Sequence, residues 1–441
     1  MLKRINAGKH SGSESVKIKD AYFPVPFKSG LEYSAPARGS WNIVHTGMLI
    51  PEAHEIFVCA KGCLRGVVLT AAEMGAAHRF STIEIKENNL LDGTMEDLII
   101  DGVSEIVTHL DKKPPAILLY TSCIHHFTGC DMDMVFDTLR QKLPDIDFTD
   151  CYMNPIMRKS GLTPDQLMRR QLYSLLKPVP LNEKSINIIG NDLPTDETSE
   201  LCKIIRSAGF ILKDITHCTT YEEYQKMAES FVNISYYPAA TESGDTLFKR
   251  LGQKHLHLPV SFEFEEIKAH IDALTNLLSI QPFNHEARIA DVSKRLTTLK
   301  SILRDTKVTI DYVAVSRPFE LAKLLISYGI NVTAIYADSV TQGDKAAFMW
   351  LKDNAPNISI FATVHPKMRV INRETQEKIV AIGQKAAYFT GTQNFVNIVE
   401  GGGHWGYDGI IRLCDEIEEA FYNEKDTKCL IQIKGMGCGC C

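Results

Sequence analysis

The sequence predicts an α/β protein made of three Rossmann-like domains, each with a parallel sheet flanked by helices. Short continuous apolar runs alternate with helical patterns from about residue 40 onward, which is typical of parallel sheets covered on both faces. The alternation recurs in blocks of roughly 120–130 residues, the size of one domain. We therefore predict an irregular segment at 1–40, α/β domains at 41–180, 181–305 and 306–430, and a Cys-rich tail at 431–441.

The predicted strands are runs of β-branched and aliphatic residues at 116–123, 186–192, 231–237, 308–316, 331–338, 358–364 and 386–391. Helices are predicted between them at 67–77, 132–141, 200–208, 263–303 (with a break at 281–283), 319–329, 344–354, 373–384 and 407–422. Ligands of parallel sheets lie at the carboxyl ends of the strands, in loops that lead into helices. Residues that close a strand, such as Cys123, are therefore the first candidates for a functional site.

The composition argues against several classes of function. The net charge of −6 offers no basic face for nucleic acid. No stretch approaches the ~20 apolar residues of a membrane span, and the polar start lacks the apolar core of a signal peptide, so we expect a cytoplasmic protein without membrane partners. The chain contains no Gly-x-x-x-x-Gly-Lys-Ser/Thr loop and no Gly-x-Gly-x-x-Gly turn after a strand. ATP hydrolysis and nicotinamide binding therefore have no support.

Twelve cysteines are informative in a chain that is expected in a reducing compartment, where clustered thiols bind metals or catalyse reactions. Cysteines that lie singly in apolar or helical patterns are predicted to pack as buried residues; these are Cys202, Cys218, Cys414 and Cys429. The ending at Cys438, Cys440 and Cys441 is most simply a disordered tail, although its thiols could capture a metal.

The remaining cysteines fall in three short segments that indicate a metal site. Cys59 and Cys63 open a predicted helix, whose unpaired N–H groups and dipole favour the thiolate. Cys123 closes the best strand, Cys130 follows in the next turn, and Cys151 comes after a short β-like run. Thiolates select zinc or iron–sulfur clusters. Dispersed cysteines suit a cluster between domains or subunits, while zinc and buried structural cysteines remain open as alternatives.

Four motifs together resemble the nitrogenase component 1 superfamily in their order and spacing. Cys59 followed by Gly66-Val67-Val68 resembles the first P-cluster segment of the nitrogenase molybdenum–iron protein α subunit, and Thr121-Ser122-Cys123 resembles a later cluster cysteine. Residues 188–192 are similar to the strand that opens the second domain of that protein, and Gly406-Tyr407-Asp408-Gly409 matches a helix start near its end. The resemblance implies three Rossmann-like domains with a cluster near a subunit interface.

The resemblance also implies a function. The chain would be the catalytic component of an anaerobic iron–sulfur reductase with a 4Fe–4S or larger cluster, held by Cys59, Cys123 and one or two of Cys63, Cys130 and Cys151. An ATP-hydrolysing iron–sulfur reductase protein would supply low-potential electrons. The assembly would be a homodimer or a hetero-oligomer with a homologous sister subunit. A scaffold that assembles and transfers a metal–sulfur cofactor is the alternative.

Departures from the family pattern point away from dinitrogen as the substrate. Residues 80–92 lack a further cluster cysteine that nitrogenase α subunits carry, so another cysteine or a partner chain would complete the set. The strand at 233–238 lacks the cysteine that anchors the family's active-site metal cofactor, and His404 does not match the anchoring histidine. A tetrapyrrole or a small sulfur- or carbon-containing compound would each fit as substrate.

Three histidines are candidate proton donors. His125 and His126 follow Cys123 directly, where they could donate protons or tune a cluster, or could simply be polar loop residues. His404 follows three glycines at 401–403, a flexible stretch that the resemblance places near the active site. We therefore expect His404 to act as an acid in the substrate cavity.

Overall fold

The computed structural model describes residues 15–27, 32–33, 43–153, 162–371, 373, 377–427 and 430. Parallel sheets flanked by helices confirm the predicted α/β class. Most of the predicted segment at 1–40, the whole tail at 431–441 with its three cysteines, and Cys429 lie outside the described residues.

The strands of the described residues are β1 (Ser15–Lys17), β2 (His54–Cys59), β3 (Phe80–Glu84), β4 (Ala116–Ser122), β5 (Asp147–Met153), β6 (Asn182–Ile188), β7 (Ile211–Asp214), β8 (Ser230–Ser235), β9 (Lys254–His257), β10 (Lys307–Asp311), β11 (Val332–Tyr336), β12 (Ser359–Phe361), β13 (Ile379–Ile382) and β14 (Phe395–Val396).

The α-helices are α1 (Ile43–Gly47), α2 (Lys61–Glu73), α3 (Glu87–Leu91), α4 (Met95–His109), α5 (Cys123–Thr128), α6 (Met132–Lys142), α7 (Pro164–Gln171), α8 (Glu200–Ser207), α9 (Tyr221–Gln225), α10 (Thr241–Leu251), α11 (Phe264–Leu278), α12 (His285–Leu303), α13 (Pro318–Ser327), α14 (Lys345–Asn354), α15 (Gln384–Thr390) and α16 (Gly406–Tyr422). Within the described ranges, none of the helices has the length and apolar character needed to cross a membrane.

The chain divides into two compact units. The first unit comprises Trp41–Pro194 and Gly209–Pro259, and the second comprises Met1–Ser40, Thr195–Ala208 and Val260–Cys441. The division into three domains at the boundaries given above stays a prediction.

The first unit contains two parallel four-stranded sheets. The cysteine sheet has the order β3-β2-β4-β5, and the β6 sheet has the order β7-β6-β8-β9. Alternation along β2 buries both faces of the cysteine sheet: Ile56 and Val58 pack into one apolar core, and Phe57 and Cys59 into another. Burial on both faces is typical of a parallel sheet, and it explains why these strands contain few exposed positions.

The second unit contains one six-stranded sheet with the order β1-β12-β11-β10-β13-β14, in which β1 pairs antiparallel to β12 and the other pairs are parallel. The chain proceeds outward from β10 through β11 and β12, then returns to the other side of β10 with β13. Such a reversal of strand order opens a crevice at the carboxyl ends of the two strands, here β10 and β13.

Two predicted elements near residue 380 are wrong. Residues 386–391 were expected to form a strand but lie mostly in α15, and the strand β13 lies inside the expected helix at 373–384. Gly383 separates the two elements with a φ of +107°, a backbone conformation open to glycine. By contrast, the break between α11 and α12 and the last helix, α16, confirm the predictions for 263–303 and 407–422.

Candidate functional site

The first candidate site is an edge of the cysteine sheet where β2 and β4 end side by side. Phe57 pairs with Tyr120 across these parallel strands, so Cys59, two residues further on, is level with Ser122. Cys123 follows Ser122 and begins α5. Because both strands run in the same direction, their carboxyl ends bring Cys59 and Cys123 to the same edge of the sheet.

Three thiols come together at this edge, which we call the cysteine edge. Cys59 is buried, Cys123 is half-buried, and Cys63, in the first turn of α2, is exposed. The pKa of the Cys59 thiol is raised to about 12, first by burial and then by the neighbouring sulfurs of Cys63 and Cys123. A thiolate at Cys59 therefore needs a compensating cation, and the iron of a cluster would supply that charge.

The start of α2 favours negative charge at the cysteine edge. This helix runs over 13 residues, and its cap residue, Ala60, provides no side-chain hydrogen bond to the first turn. The first N–H groups and the positive end of the helix dipole therefore lie beside Cys63 without a capping side chain. An anionic ligand at this edge would therefore face the positive end of a helix.

Two kinds of metal site use cysteine thiolates as ligands. Among the residues that the structure describes, no three His, Cys, Asp or Glu side chains converge as ligands of a single metal ion. Zinc holds its sulfur ligands about 2.3 Å from one centre, whereas the thiolates of an iron–sulfur cluster each bind a different iron. Thiolates that bind different irons need not share one centre, so Cys59, Cys63 and Cys123 are suitable donors for a cluster.

Cys130 lies in a different environment, just beyond the C-terminal end of α5. Gly129 ends that helix in the left-handed conformation, and the Cys130 sulfur contacts Met132 Sδ at 3.8 Å. The pKa of Cys130 is raised to about 12, first by burial and then by the carboxylate of Glu96. A carboxylate beside the sulfur opposes the thiolate that a metal ligand must supply.

Cys151 lies within β5, whereas the sequence pattern had placed it after a strand. It pairs with Tyr120, which in turn pairs with Phe57 on β2, so Cys151 is two strands away from Cys59 and two residues short of its level. With strands about 4.8 Å apart and a rise of about 3.3 Å per residue, the two Cα atoms are about 12 Å apart. Cys151 is fully buried in an apolar core, and burial holds its pKa well above the ordinary value.

His125 has a hydrogen-bonding group that no described residue satisfies. The backbone N–H of Ser122 donates to His125 Nδ1 at 3.0 Å, which leaves the proton of the neutral ring on Nε2. Nε2 is buried and has no partner within the described part of the chain, and burial lowers the pKa of this imidazole. Buried polar groups are normally paired, so a donor two residues after Cys123 fits an acceptor such as a cluster sulfur. His126 is exposed.

His404 is held by α16 within the second unit. Its Nε2 lies 3.2 Å from Glu416 Oε1, and its backbone N–H donates to the carbonyl of Gly401 at 3.0 Å. The glycines at 401–403 all have positive φ, which allows the chain to turn tightly before His404. The Glu416 carboxylate is therefore placed to accept a hydrogen bond from the Nε2–H of His404.

A polar site that no sequence motif had indicated lies at the carboxyl ends of β10 and β13. The buried carboxylate of Asp311 accepts three backbone N–H bonds. A Cβ at Gly383 would lie 2.4 Å from Asp311 Oδ2, so only glycine fits there. Lys385 is 8% exposed and donates to the Tyr312 hydroxyl at 2.9 Å. The turn at 383–385 (Gly-Gln-Lys) is the one sequence feature that could have indicated this site. It indicates the site only if β10 and β13 are known to be neighbouring strands.

Comparisons with known proteins identify relatives of this chain. A family model described as nitrogenase component 1 type oxidoreductase matches residues 44–422. The solved structure of nitrogenase Cp1 at pH 6.5 has a TM-score of 0.64 and 15% sequence identity, over 90% of this chain and 94% of that chain. Nitrogenase Cp1 at pH 5 has a TM-score of 0.59 and 14% identity, over 94% and 96% of the two chains. No curated protein sequence matches the chain.

These comparisons agree with the fold described above. At such low identity, the two solved structures establish the similarity of the fold alone. Proteins of the matched family bind iron–sulfur clusters, and the cysteine edge offers sulfur donors of the kind that such cofactors need. Since the family model covers most of the sequence, the chain belongs to the nitrogenase component 1 type oxidoreductases.

Proposed function

We propose that this protein is the catalytic component of an iron–sulfur reductase. The observation that carries the proposal is the grouping of Cys59, Cys63 and Cys123 at one edge of a parallel sheet. Membership of an oxidoreductase family supports the same class of reaction. Thiols at the carboxyl ends of adjacent strands lie where α/β proteins place their ligands.

The three cysteines would hold a 4Fe–4S or larger cluster, which would carry single low-potential electrons when bound. Cys59 would bind from the buried side of the site and Cys63 from its exposed side, with Cys123 between these extremes of exposure. His125 would donate its buried Nε2–H to a cluster sulfur. Hydrogen bonds of this kind tune reduction potentials, so His125 would adjust the driving force for electron transfer.

Two features support an assembly larger than one chain. Cys130 lies beside the carboxylate of Glu96, and Cys151 lies two strands away from Cys59. Three of the described cysteines therefore lie at the cysteine edge, whereas a cuboidal cluster commonly takes four. The exposure of Cys63 allows a second protein to approach this edge. A second copy or a homologous sister subunit would complete the ligand set, giving a homodimer or a hetero-oligomer.

The electrons would come from a separate ATP-hydrolysing iron–sulfur reductase protein, because this chain has no phosphate loop of its own. The substrate is proposed to be other than dinitrogen. Residues 233–238, where the resemblance expects a cofactor cysteine, contain none. His404, paired with Glu416, and the exposed His126 would supply protons to the reduction.

Anaerobic iron and sulfide analysis with EPR tests this proposal. Cys59→Ala, Cys63→Ala and Cys123→Ala should each lose at least half of the bound iron and change the EPR signal. Cys151→Ala is the matched control, because Cys151 is as buried as Cys59 and its loss leaves a similar cavity. Equal iron in all four variants, or a wild type free of iron, would contradict the proposal.

The exposure of Cys63 also favours the alternative, a scaffold that assembles and transfers a metal–sulfur cofactor, because an exposed ligand is easily exchanged. Turnover separates the two functions. A reductase should oxidise its reductase partner in the presence of ATP and reduce a substrate, whereas a scaffold should pass its iron to an apo-acceptor and reduce nothing.

A further inference from the structure

A chain of hydrogen bonds lies at the carboxyl end of the β6 sheet, in the first unit. His255 and His257 alternate with Leu256 along β9, so their imidazoles project from the same side of the strand. Ser235, the last residue of β8, pairs with His257 across the ladder. The Ser235 hydroxyl lies 2.8 Å from His255 Nε2 and 2.8 Å from His257 Nδ1. One hydroxyl thus bridges two imidazoles.

The bridge has two states that differ by the position of one proton. A hydroxyl donates its own proton to one neighbour and accepts from the other. Either His255 carries its proton on Nε2 and Ser235 donates to His257, or His257 carries its proton on Nδ1 and Ser235 donates to His255. Conversion of the first state into the second moves one proton from His255 to His257.

A carboxylate connects this bridge to solvent. Asp245 Oδ1, from α10, lies 3.3 Å from His255 Nδ1. The Asp245 side chain is 56% exposed, the His255 side chain is 9% exposed, and Ser235 has no exposed surface. Exposure therefore falls from the carboxylate through the imidazole to the hydroxyl, and His257 beyond the hydroxyl is half-buried.

These residue types also occur in Ser-His-Asp hydrolases, but Ser235 cannot act as a nucleophile. A catalytic serine must reach the carbonyl carbon of its substrate, and Ser235 is fully buried. The hydroxyl can only exchange protons with the two imidazoles that contact it. Proton transfer is therefore the chemistry that the geometry allows.

Helix α10 leaves room for the His255 ring. A Cβ at Gly244 would lie 2.3 Å from three atoms of that imidazole. Glycine within a helix costs about 1 kcal/mol relative to alanine. Gly244 therefore lowers the stability of α10 but lets the His255 ring pack directly against the helix backbone. The packing holds His255 within reach of both Ser235 and Asp245.

We propose that Asp245, His255, Ser235 and His257 form a proton relay from solvent to the carboxyl end of the β6 sheet. A proton from solvent enters at His255, beside the Asp245 carboxylate. The Nε2–H of His255 passes its proton to Ser235 Oγ while the hydroxyl passes its own proton to His257 Nδ1. His255 ends neutral, the hydroxyl is regenerated and His257 carries the proton. The use of these protons rests on the reduction proposed above, but the relay itself does not.

NMR relaxation dispersion of the full-length chain, purified without cluster and labelled with ¹³C at histidine Cε1, tests the relay. The measured quantity is the rate of His257 protonation at a fixed pH near its midpoint. Ser235→Ala and Asp245→Leu should each slow it at least tenfold, because each removes a hydrogen-bonding group from the chain. Ser235→Thr, which keeps a hydroxyl, should keep the wild-type rate.

Two further variants complete the test. Gly244→Ala should slow the protonation of His257 by displacing the His255 ring, and Glu242→Gln, on the same helix but outside the relay, should leave it unchanged. If Ser235→Ala retains the wild-type rate while amide exchange shows β8 and β9 intact, His257 exchanges directly with solvent and the relay is refuted. Iron content reports on the proposed function separately, because Ser235→Ala should not alter it.

Discussion

Replacing Arg169 by methionine should strongly destabilise the first unit. Arg169 is fully buried; it donates to Asp192 Oδ2 at 2.6 Å and to the carbonyl of Gly190 at 2.5 Å. Its guanidinium also lies 4.1 Å from the ring centroid of Tyr237. Methionine fills much of the same volume but leaves Asp192, whose side chain is 1% exposed, without its cation.

The size of the effect follows from burial. Removing one partner of a buried ion pair costs about 3–5 kcal/mol, because the other charge stays buried without compensation. Asp165, the second carboxylate on Arg169, is 42% exposed and can be hydrated, so Asp192 dominates the cost. Arg169→Met with Asp192→Asn removes both charges and should recover most of the loss. Arg140→Met is the surface control, since its partner Asp137 is 72% exposed and such pairs contribute about 0–1 kcal/mol.

Native-state hydrogen exchange of the β6 and β8 amides is the suitable assay, because a chain with two units does not guarantee two-state unfolding. A loss of about 3–5 kcal/mol corresponds to exchange faster by about 10²- to 10⁴-fold in amides that open globally. If Arg169→Met exchanges within about tenfold of wild type, or if the double variant is no more stable than the single one, the argument from the buried charge is refuted.

Three further predictions concern protons and close packing. Burial and the nearby Asp408 raise the pKa of Glu200 to about 7. Between pH 4.5 and 7 the folded state therefore binds more protons than the unfolded state does. The free energy of unfolding of the second unit should fall by up to about 3 kcal/mol as the pH rises through this range. Glu200→Gln should abolish this dependence on pH in denaturant titrations. Burial lowers the pKa of His54 to about 4, so the unfolded state binds protons first and the first unit should gain up to about 3 kcal/mol between pH 4 and 6.5. His54→Gln should remove this gain in stability with pH. An unchanged gain in the variant would contradict the role given to His54. A Cβ at Gly190 would lie 2.1 Å from Ala240 Cβ, whereas Gly209, with a similar positive φ, has open space around it. Gly190→Ala should therefore cost more than Gly209→Ala, with the latter near 1 kcal/mol; equal losses of thermal stability would show that packing adds nothing at Gly190.

Local patterns predicted much of the fold, and they failed where polar residues enter a core. The run that ends at Cys123 is wholly apolar up to its last few residues, and it forms β4 as predicted. β2 was not predicted because His54 and Glu55 interrupt its apolar pattern, yet both are buried. His54 is satisfied by Ser81 of β3 at 2.8 Å, a partner that lies 27 residues away in the sequence.

Local patterns also predicted the positions of some cysteines and failed for another. Cys123 was predicted to close a strand and Cys59 to open a helix, because an apolar run followed by a helical pattern is the local signature of a strand-to-helix junction. Cys151 looked equivalent by that signature, but β5 extends past it and carries it into a core. Strand length depends on pairing with the neighbouring strand, which a single run of residues does not contain.

By itself, the sequence determined the α/β class and put thiols at the junctions of strands and helices, since periodicity and helix-start chemistry are properties of a few consecutive residues. Only the tertiary structure decided which thiols share an edge, because the order β3-β2-β4-β5 brings Cys59 and Cys123 together and leaves Cys151 two strands away. It also decided that Ser235 bridges two histidines, one of which contacts an exposed aspartate. Strand order is set by burial of apolar faces over the whole unit, and so it cannot be read from any short segment.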